Sequence, residues 1–301
     1  MSQPETAPAA SPAVPPAVPP AIPPVTPRAQ AVLDLLHDHR SIRQFRPDPI
    51  DGAWIDGLLH QALQGGASSG NLNLVSVVKT GDPVRREGLY RLHSEQPMIL
   101  QAPWLLTFCA DTHRTRVWLA QRGARLGFAD LLSWHTAALD TMLLAQTTAL
   151  ALEAHGLGTC YMGTTLFTMG RIAEFLQLPE HVLPVTTLVV GWPAEAPAQR
   201  DRLPAAAWIH DETYRDPTPE EIDARYAERD VKGWQRYLSM KPDFAAELAA
   251  NGITTLAQYY TSPMKYDPDR FAAFSRDLHA ALARHGFLGE LTPQGSPPGS
   301  A

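Results

Sequence analysis

The stretch that most constrains this chain runs from Asp130 to His155 and is hydrophobic nearly all the way round a helical wheel. A helix with one apolar stripe covers one side of a core, whereas one apolar on every side must be buried. Gly156 supplies the left-handed residue that ends such a helix. The stretch is not a membrane span, because Asp140, Gln146 and Glu153 interrupt it. Burying it takes a large core, and 301 residues of which 45% are hydrophobic suffice for one or two domains.

Around this helix the pattern mixes both kinds of element. Helices read at Ala29 to His39, at Asp51 to Leu63 with Ile55, Leu58, Leu59 and Ala62 on one face, and at 172–178 before Pro179. Leu74 to Lys79, Trp104 to Ala110 and Val182 to Trp192 read as buried strands, the last ended by Pro193. Residues 1–28 are Pro/Ala-rich and read as a disordered or polyproline tail, and 289–301 as a second loose tail. After Tyr214 the character changes to polar-faced helices at Pro219–Tyr237 and Asp269–His285 with an irregular piece between them. Two readings stay open there: an excursion that packs on another surface, such as a partner subunit, or a small C-terminal subdomain.

Net charge of −6 argues against nucleic acid as the main partner. Cys109 and Cys160 sit in apolar runs and read as buried free thiols, which fits a reducing cytoplasm; no basic-then-apolar leader precedes them. Neither belongs to a zinc spacing. His37 and His39 diverge on a helix, and His279 and His285 read as surface residues, so no metal ligands are expected. No Ser-His-Asp, Cys-His or Walker-type arrangement stands out, so no catalytic side chain is assigned.

The chemistry-bearing residues are basic. His39-Arg40-Ser41-Ile42-Arg43 places two arginines and a serine in what reads as one turn at a helix end. Two guanidinium forks facing one way suit a phosphate dianion. Arg200 and Arg202 flank Asp201 before Leu203-Pro204; in extended backbone they face together with Asp201 opposite. The two pairs make a four-arginine cradle. Gly156-Leu157-Gly158-Thr159-Cys160-Tyr161 fails as a dinucleotide fingerprint, because its sixth position is Tyr161 and it follows a helix to enter a strand. Ala67-Ser68-Ser69-Gly70-Asn71 offers small hydroxyl residues in a loop.

In this order and spacing, the motifs resemble those of the flavin-dependent nitroreductases, most closely the NADPH-dependent flavin/nitro reductase branch. The resemblance covers about Ala29 to Tyr214 and rests on 39–45 (His-Arg-Ser-Ile-Arg-Gln-Phe), 156–163, 181–193 and Arg-Asp-Arg-Leu-Pro at 200–204. It implies an α+β fold, with a mostly antiparallel central sheet flanked by helices, in a homodimer. The expected divisions are a core at 29–215 and a C-terminal helical excursion or lid at 216–288.

The resemblance also implies FMN as cofactor, with Arg40, Ser41, Arg43, Arg200 and Arg202 on its phosphate and His39 beside the ribityl chain or ring. Ser68 and Ser69 would contact flavin, Gln96 would reach the ring, and Tyr161, Met162, Gly163 and Thr164 would run along it. NADPH or NADH would be the donor, and Arg225, Arg229 and Arg236 are candidates for a 2′-phosphate contact. Acceptors would be nitroaromatics, quinones, free flavins or metal-ion oxidants. Gly70 and Asn71 replace a serine and an aromatic, Thr164 stands where a second glycine is usual, and Arg200 where lysine is usual. A flavin-destroying or dehalogenating enzyme of the same superfamily, or a non-catalytic FMN-binding module, are the alternative readings.

Overall fold

The computed structural model describes residues 25–289, so most of the two expected tails (1–28 and 289–301) lies outside the described residues. Helix α1 (Pro27–Asp38) starts inside the segment read as tail, because Thr26 caps it and Pro27 occupies its first turn. Helix α2 (Gly52–Gly65) is capped by Asp51 and buries Ile55, Leu58 and Ala62, the face expected from spacing. Strands β1 (Val75–Thr80), β2 (Trp104–Asp111), β3 (Gly158–Met162) and β4 (Val182–Gly191) form one sheet in the order β1-β2-β4-β3, antiparallel throughout. All ten residues of β4 are buried, as expected of an inner strand covered on both faces.

Three helices escape the periodicity reading: α3 (Pro83–Leu92), α4 (Met98–Gln101) and α5 (His113–Gln121). They are short, and α3 and α5 expose many charges, so their apolar stripe is too thin to register. The long helix α6 (Leu131–Ala154) packs on the sheet, but not on every side. Ala137, Thr141, Leu144, Ala145, Thr148, Ala149 and Leu152 are buried with Asp140, whereas Leu132, Leu139 and Leu143 stay 74%, 53% and 49% exposed. The expectation of burial all round is therefore corrected for the single chain. Helix α1 lies along α6 and adds Val32, Leu33 and Leu36 to the exposed apolar surface.

Helix α7 (Met169–Phe175) begins three residues before the expected segment. The region after Tyr214 holds α8 (Pro219–Leu238), α9 (Phe244–Ala250), α10 (Leu256–Tyr260) and α11 (Pro268–Arg284), so the piece read as irregular contains two short helices. A capping box of Thr218 and Glu221 opens α8. Phe244, Leu248, Ile253, Leu256 and Tyr259 form a separate small core with Trp234 and Tyr237. Helix α11 returns to the main body, where Ala281, Leu282 and Phe287 pack with Met169, Ala173 and Leu183. His285 is buried there, with its Nδ1 3.2 Å from the Pro179 carbonyl, and is not the surface residue expected. Among the described residues no helix is long and apolar enough to cross a membrane, and no cluster of metal-ligating side chains occurs. Both cysteines are free and buried.

Candidate functional site: a four-arginine pocket

The Arg40–Arg43 segment is not helical. His39 ends α1 at φ −55°, ψ 129° and turns the chain into extended backbone. Ser41 bridges Thr159 in parallel, the Ile42 amide donates to the Thr159 carbonyl at 2.9 Å, and Phe45 bridges Pro193. The expected shared helical face is thus replaced by a segment laid along the end of the sheet. A close approach makes this possible: a Cβ on Gly158 would stand 2.8 Å from Ile42. Gly156, at φ +79°, ends α6 as expected and returns the chain into β3.

The cradle nonetheless forms. His39, Arg40, Ser41, Arg43, Arg200 and Arg202 line one pocket with Pro197 and Ala198. The guanidinium groups are held by backbone carbonyls: Arg40 by those of His37 and Asp38, Arg43 by that of Ser41 at 3.2 Å, Arg202 by those of Arg200 and Asp201 at 3.2 Å. Among the described residues the one carboxylate within 4 Å of these four guanidiniums is Asp38, 3.9 Å from Arg40. Glu195 does not neutralise Arg43; its carboxylate accepts from the backbone amides of Arg43 and Gln44. Nor does Asp201, which pairs with Arg236 of α8 at 2.9 Å. Burial raises the Asp201 pKa, but the Arg236 hydrogen bond and charge outweigh it and leave the carboxyl below its ordinary value. The pocket therefore concentrates four cations against one carboxylate within 4 Å, Asp38, an arrangement suited to an anion.

His39 is fixed from behind. Its Nδ1 lies 2.9 and 3.0 Å from the two oxygens of Glu153 on α6, which also accepts the Thr159 hydroxyl at 2.6 Å. That leaves Nε2 as the ring atom available to a guest.

The other expected contacts fall into separate groups. Ser68 and Ser69 do not line the arginine pocket. Both hydroxyls donate to Asp140 at 2.8 Å, the Ser69 amide donates to it at 3.0 Å, and Ser68 Oγ also accepts from the Asn73 amide at 2.8 Å. Their hydroxyl protons are consumed within the chain, so what the loop offers a ligand is backbone and oxygen lone pairs. Gly70, Asn71 and Asn73 at φ 57°, 56° and 53° form the tight turn that returns to β1. Tyr161 and Met162 point to opposite faces of β3: Met162 is buried with Cys160, while Tyr161 joins the cluster on the α6 side and reaches Gln146 at 3.3 Å. They therefore do not both present side chains to one ring. Burial raises the Tyr161 phenol, with Glu153 adding to it, and keeps it protonated. Gly163 lies in the turn after β3, where an added Cβ would meet nothing within 4 Å. Gln96 and Thr164 are both tied to His93, by Gln96 Nε2 donating to the His93 carbonyl at 3.2 Å and by a 2.8 Å contact of Thr164 Oγ1 with His93 Nδ1.

A second cavity of about 620 Å³ shares Arg43, Arg200 and Arg202 with the first pocket. It is lined by Arg43, Arg200, Asp201 and Arg202 together with Arg229, Arg236, Lys265, Tyr237, Tyr260 and Met240, with Arg236 paired to Asp201. Arg225 is not among its lining and stands 3.9 Å from Glu221. Glu153, Asp140 and His93 were missed as site residues in the sequence. For Asp140 and Glu153 the available signal was charge inside the apolar α6, which marks a buried partner as readily as it excludes a membrane span; His93, at the end of α3, carries no such signal.

A four-arginine pocket thus lies where the extended Arg40–Arg43 segment runs along the edge strand β3. The sequence pattern of the nitroreductase family matches residues 36–192, and this chain belongs to that family. It is 35% identical over 198 residues to an oxygen-insensitive NADPH nitroreductase of Salmonella typhimurium, covering 66% of this chain and 80% of that one. It is also 35% identical over 185 residues to an FMN reductase [NAD(P)H] of Bacillus subtilis, covering 61% and 74%. The fold superimposes on NfrA2 of B. megaterium with a TM-score of 0.72 at 29% identity, over 86% of this chain and 99% of that one. It superimposes on the NADPH:FMN oxidoreductase of Vibrio harveyi, solved with NAD⁺, at 0.69 and 25% identity, over 86% and 100%. The structural match thus extends into the C-terminal helices, which the sequence resemblance did not reach.

Proposed function

We propose that this chain is an FMN-dependent oxidoreductase that takes electrons from NADPH and passes them to nitroaromatics, quinones or flavins in a ping-pong sequence. The observation that carries the reading is the convergence of Arg40, Arg43, Arg200 and Arg202 on one pocket whose guanidiniums have almost no internal counter-charge. The donor set fits a phosphate monoester: planar forks, the Ser41 hydroxyl and the free edge of His39. The open backbone at Gly163 fits the approach of a flat ring. Bound FMN supplies the hydride chemistry, which asks for no side-chain acid, base or nucleophile.

The chain's own residues bind and orient. Arg40, Ser41, Arg43, Arg200 and Arg202 hold the phosphate; Glu153, itself braced by the Thr159 hydroxyl, holds the His39 ring in one orientation beside it. Asp140 fixes the Ser68–Ser69 loop, and Gln96, Gly163 and Thr164 face the ring. The 620 Å³ cavity takes the nucleotide, with Arg229, Arg236 and Lys265 meeting phosphate and Tyr237 and Tyr260 offering aromatic faces. Of the candidates from sequence, Arg229 and Arg236 fit a 2′-phosphate contact and Arg225 does not.

The exposed apolar faces of α6 and α1 are covered by a second copy, giving a homodimer. The two buried free thiols fit a reducing cytoplasm. Purification tests the proposal: a yellow protein with bound FMN that oxidises NADPH in the presence of a quinone is expected. A colourless preparation that takes up no added FMN refutes it.

A further inference from the structure

His93 is the most deeply buried titratable side chain near the expected ring contacts, at 0% exposure, and the mechanism above makes no use of it. It ends α3 with its amide donating to the Leu89 and Tyr90 carbonyls. The two residues after it, Ser94 and Glu95, are non-glycine yet sit at φ 56° and 54°. Two consecutive left-handed residues are an unfavourable way to leave a helix, and such strain persists only where the surroundings enforce it. Here the turn delivers Gln96, whose side-chain amide folds back onto the His93 carbonyl at 3.2 Å.

The ring of His93 reaches the other way. Its Nδ1 lies 2.8 Å from Thr164 Oγ1, in the turn that follows β3. Thr168 donates its hydroxyl to both the Leu92 and Thr164 carbonyls, closing the same link a second time. The His93 Nε2 is buried and has no hydrogen-bond partner, so Thr164 is the ring's one polar anchor. Burial pushes His93 down to about 4, which keeps the imidazole neutral at physiological pH. Thr164 also stands where the family resemblance leads one to expect a glycine. A side chain added beside a flat ligand must be steered away from it, and a fully buried imidazole does that.

We infer that His93 is a positioning residue for the flavin site, one that pins the Thr164 hydroxyl and the Gln96 amide and so sets the shape of the ring-facing edge. This rests on the FMN reading above. The test uses His93→Phe, which keeps a ring without the nitrogen; His93→Asn, which keeps a polar atom near the Nδ1 position; Thr164→Val, which removes the hydroxyl at constant shape; and the His93→Phe/Thr164→Val pair. The readouts are FMN affinity of the apoprotein by fluorescence quenching and the visible circular dichroism of the bound flavin.

Loss of one hydrogen bond of about 1 kcal/mol corresponds to roughly five-fold in affinity. We expect about that loss and a changed flavin dichroism in His93→Phe and in Thr164→Val, no further loss in the double variant, and recovery in His93→Asn. If Thr164→Val leaves affinity and dichroism at wild-type values, or if the two single effects add, the inference is overturned while the FMN reading stands. Should His93→Phe fail to fold, Thr164→Val alone decides. If the wild-type protein binds no FMN, both readings fall together.

Discussion

Changing Arg40 and Arg43 together to alanine removes half of the four-arginine cradle without touching what folds the chain. Their side chains bond only to carbonyls of their own segment, His37, Asp38 and Ser41, while Ile42 between them carries the packing. Each charge-assisted hydrogen bond to phosphate contributes about 1.5–3 kcal/mol, so losing one per arginine weakens FMN binding by about 3–6 kcal/mol. The pocket is open to water, and Arg40 is 30% exposed, so screening puts the effect at the low end, on the order of 10²-fold in Kd. Titration of apoprotein by flavin fluorescence measures this, and riboflavin, which lacks the phosphate, provides the internal control. The double variant should lose FMN affinity, keep its riboflavin affinity and keep its far-ultraviolet circular dichroism. Lysine at both positions should recover part of the affinity, because charge is restored but the bidentate fork is not. Equal losses for FMN and riboflavin would refute phosphate recognition, and an unchanged FMN affinity would reduce the segment to a solvated basic strand at the sheet edge.

His93 makes stability pH-dependent with a definite sign. Its folded pKa of about 4 lies below the ordinary 6.5, so between these values the unfolded chain binds a proton that the folded chain refuses. The contribution is fully present above pH 6.5 and falls by about 3 kcal/mol on going to pH 4; urea midpoints should show this slope in wild type and lose it in His93→Asn. Arg236→Ala and Arg229→Ala should each raise KM for NADPH selectively over NADH in steady-state kinetics, whereas Arg225→Ala should leave the NADPH/NADH ratio unchanged. Placing a charge on the exposed face of α6, as in Leu139→Glu, should shift sedimentation from dimer to monomer while the monomer's secondary structure persists.

How much was legible in advance differs from residue to residue. The face of α2, the burial of β4 and the end of α6 at Gly156 all follow from local pattern, because periodicity and a left-handed cap are properties of a few adjacent residues. The pairing of Arg40 and Arg43 with Arg200 and Arg202 was also readable, since unusual arginine spacing survives any fold that brings the segments together. The geometry behind that pairing was not. A helical turn was expected where His39 bends the chain into an extended segment along β3, and helix propensity alone cannot register that a sheet edge competes for the same backbone hydrogen bonds.

The sequence by itself determined the long helix and the buried strands, the two tail compositions, the cation set and the family to which the chain belongs. Only the tertiary structure decided which charges are spent and which are free. Asp201, adjacent to two arginines, pairs with Arg236 instead; Asp140 uses up both loop hydroxyls; Glu153 holds His39 from across the core. The physical reason is that ion pairs and hydrogen bonds act over a few ångströms in space, and these partners lie between 35 and 114 residues apart along the chain.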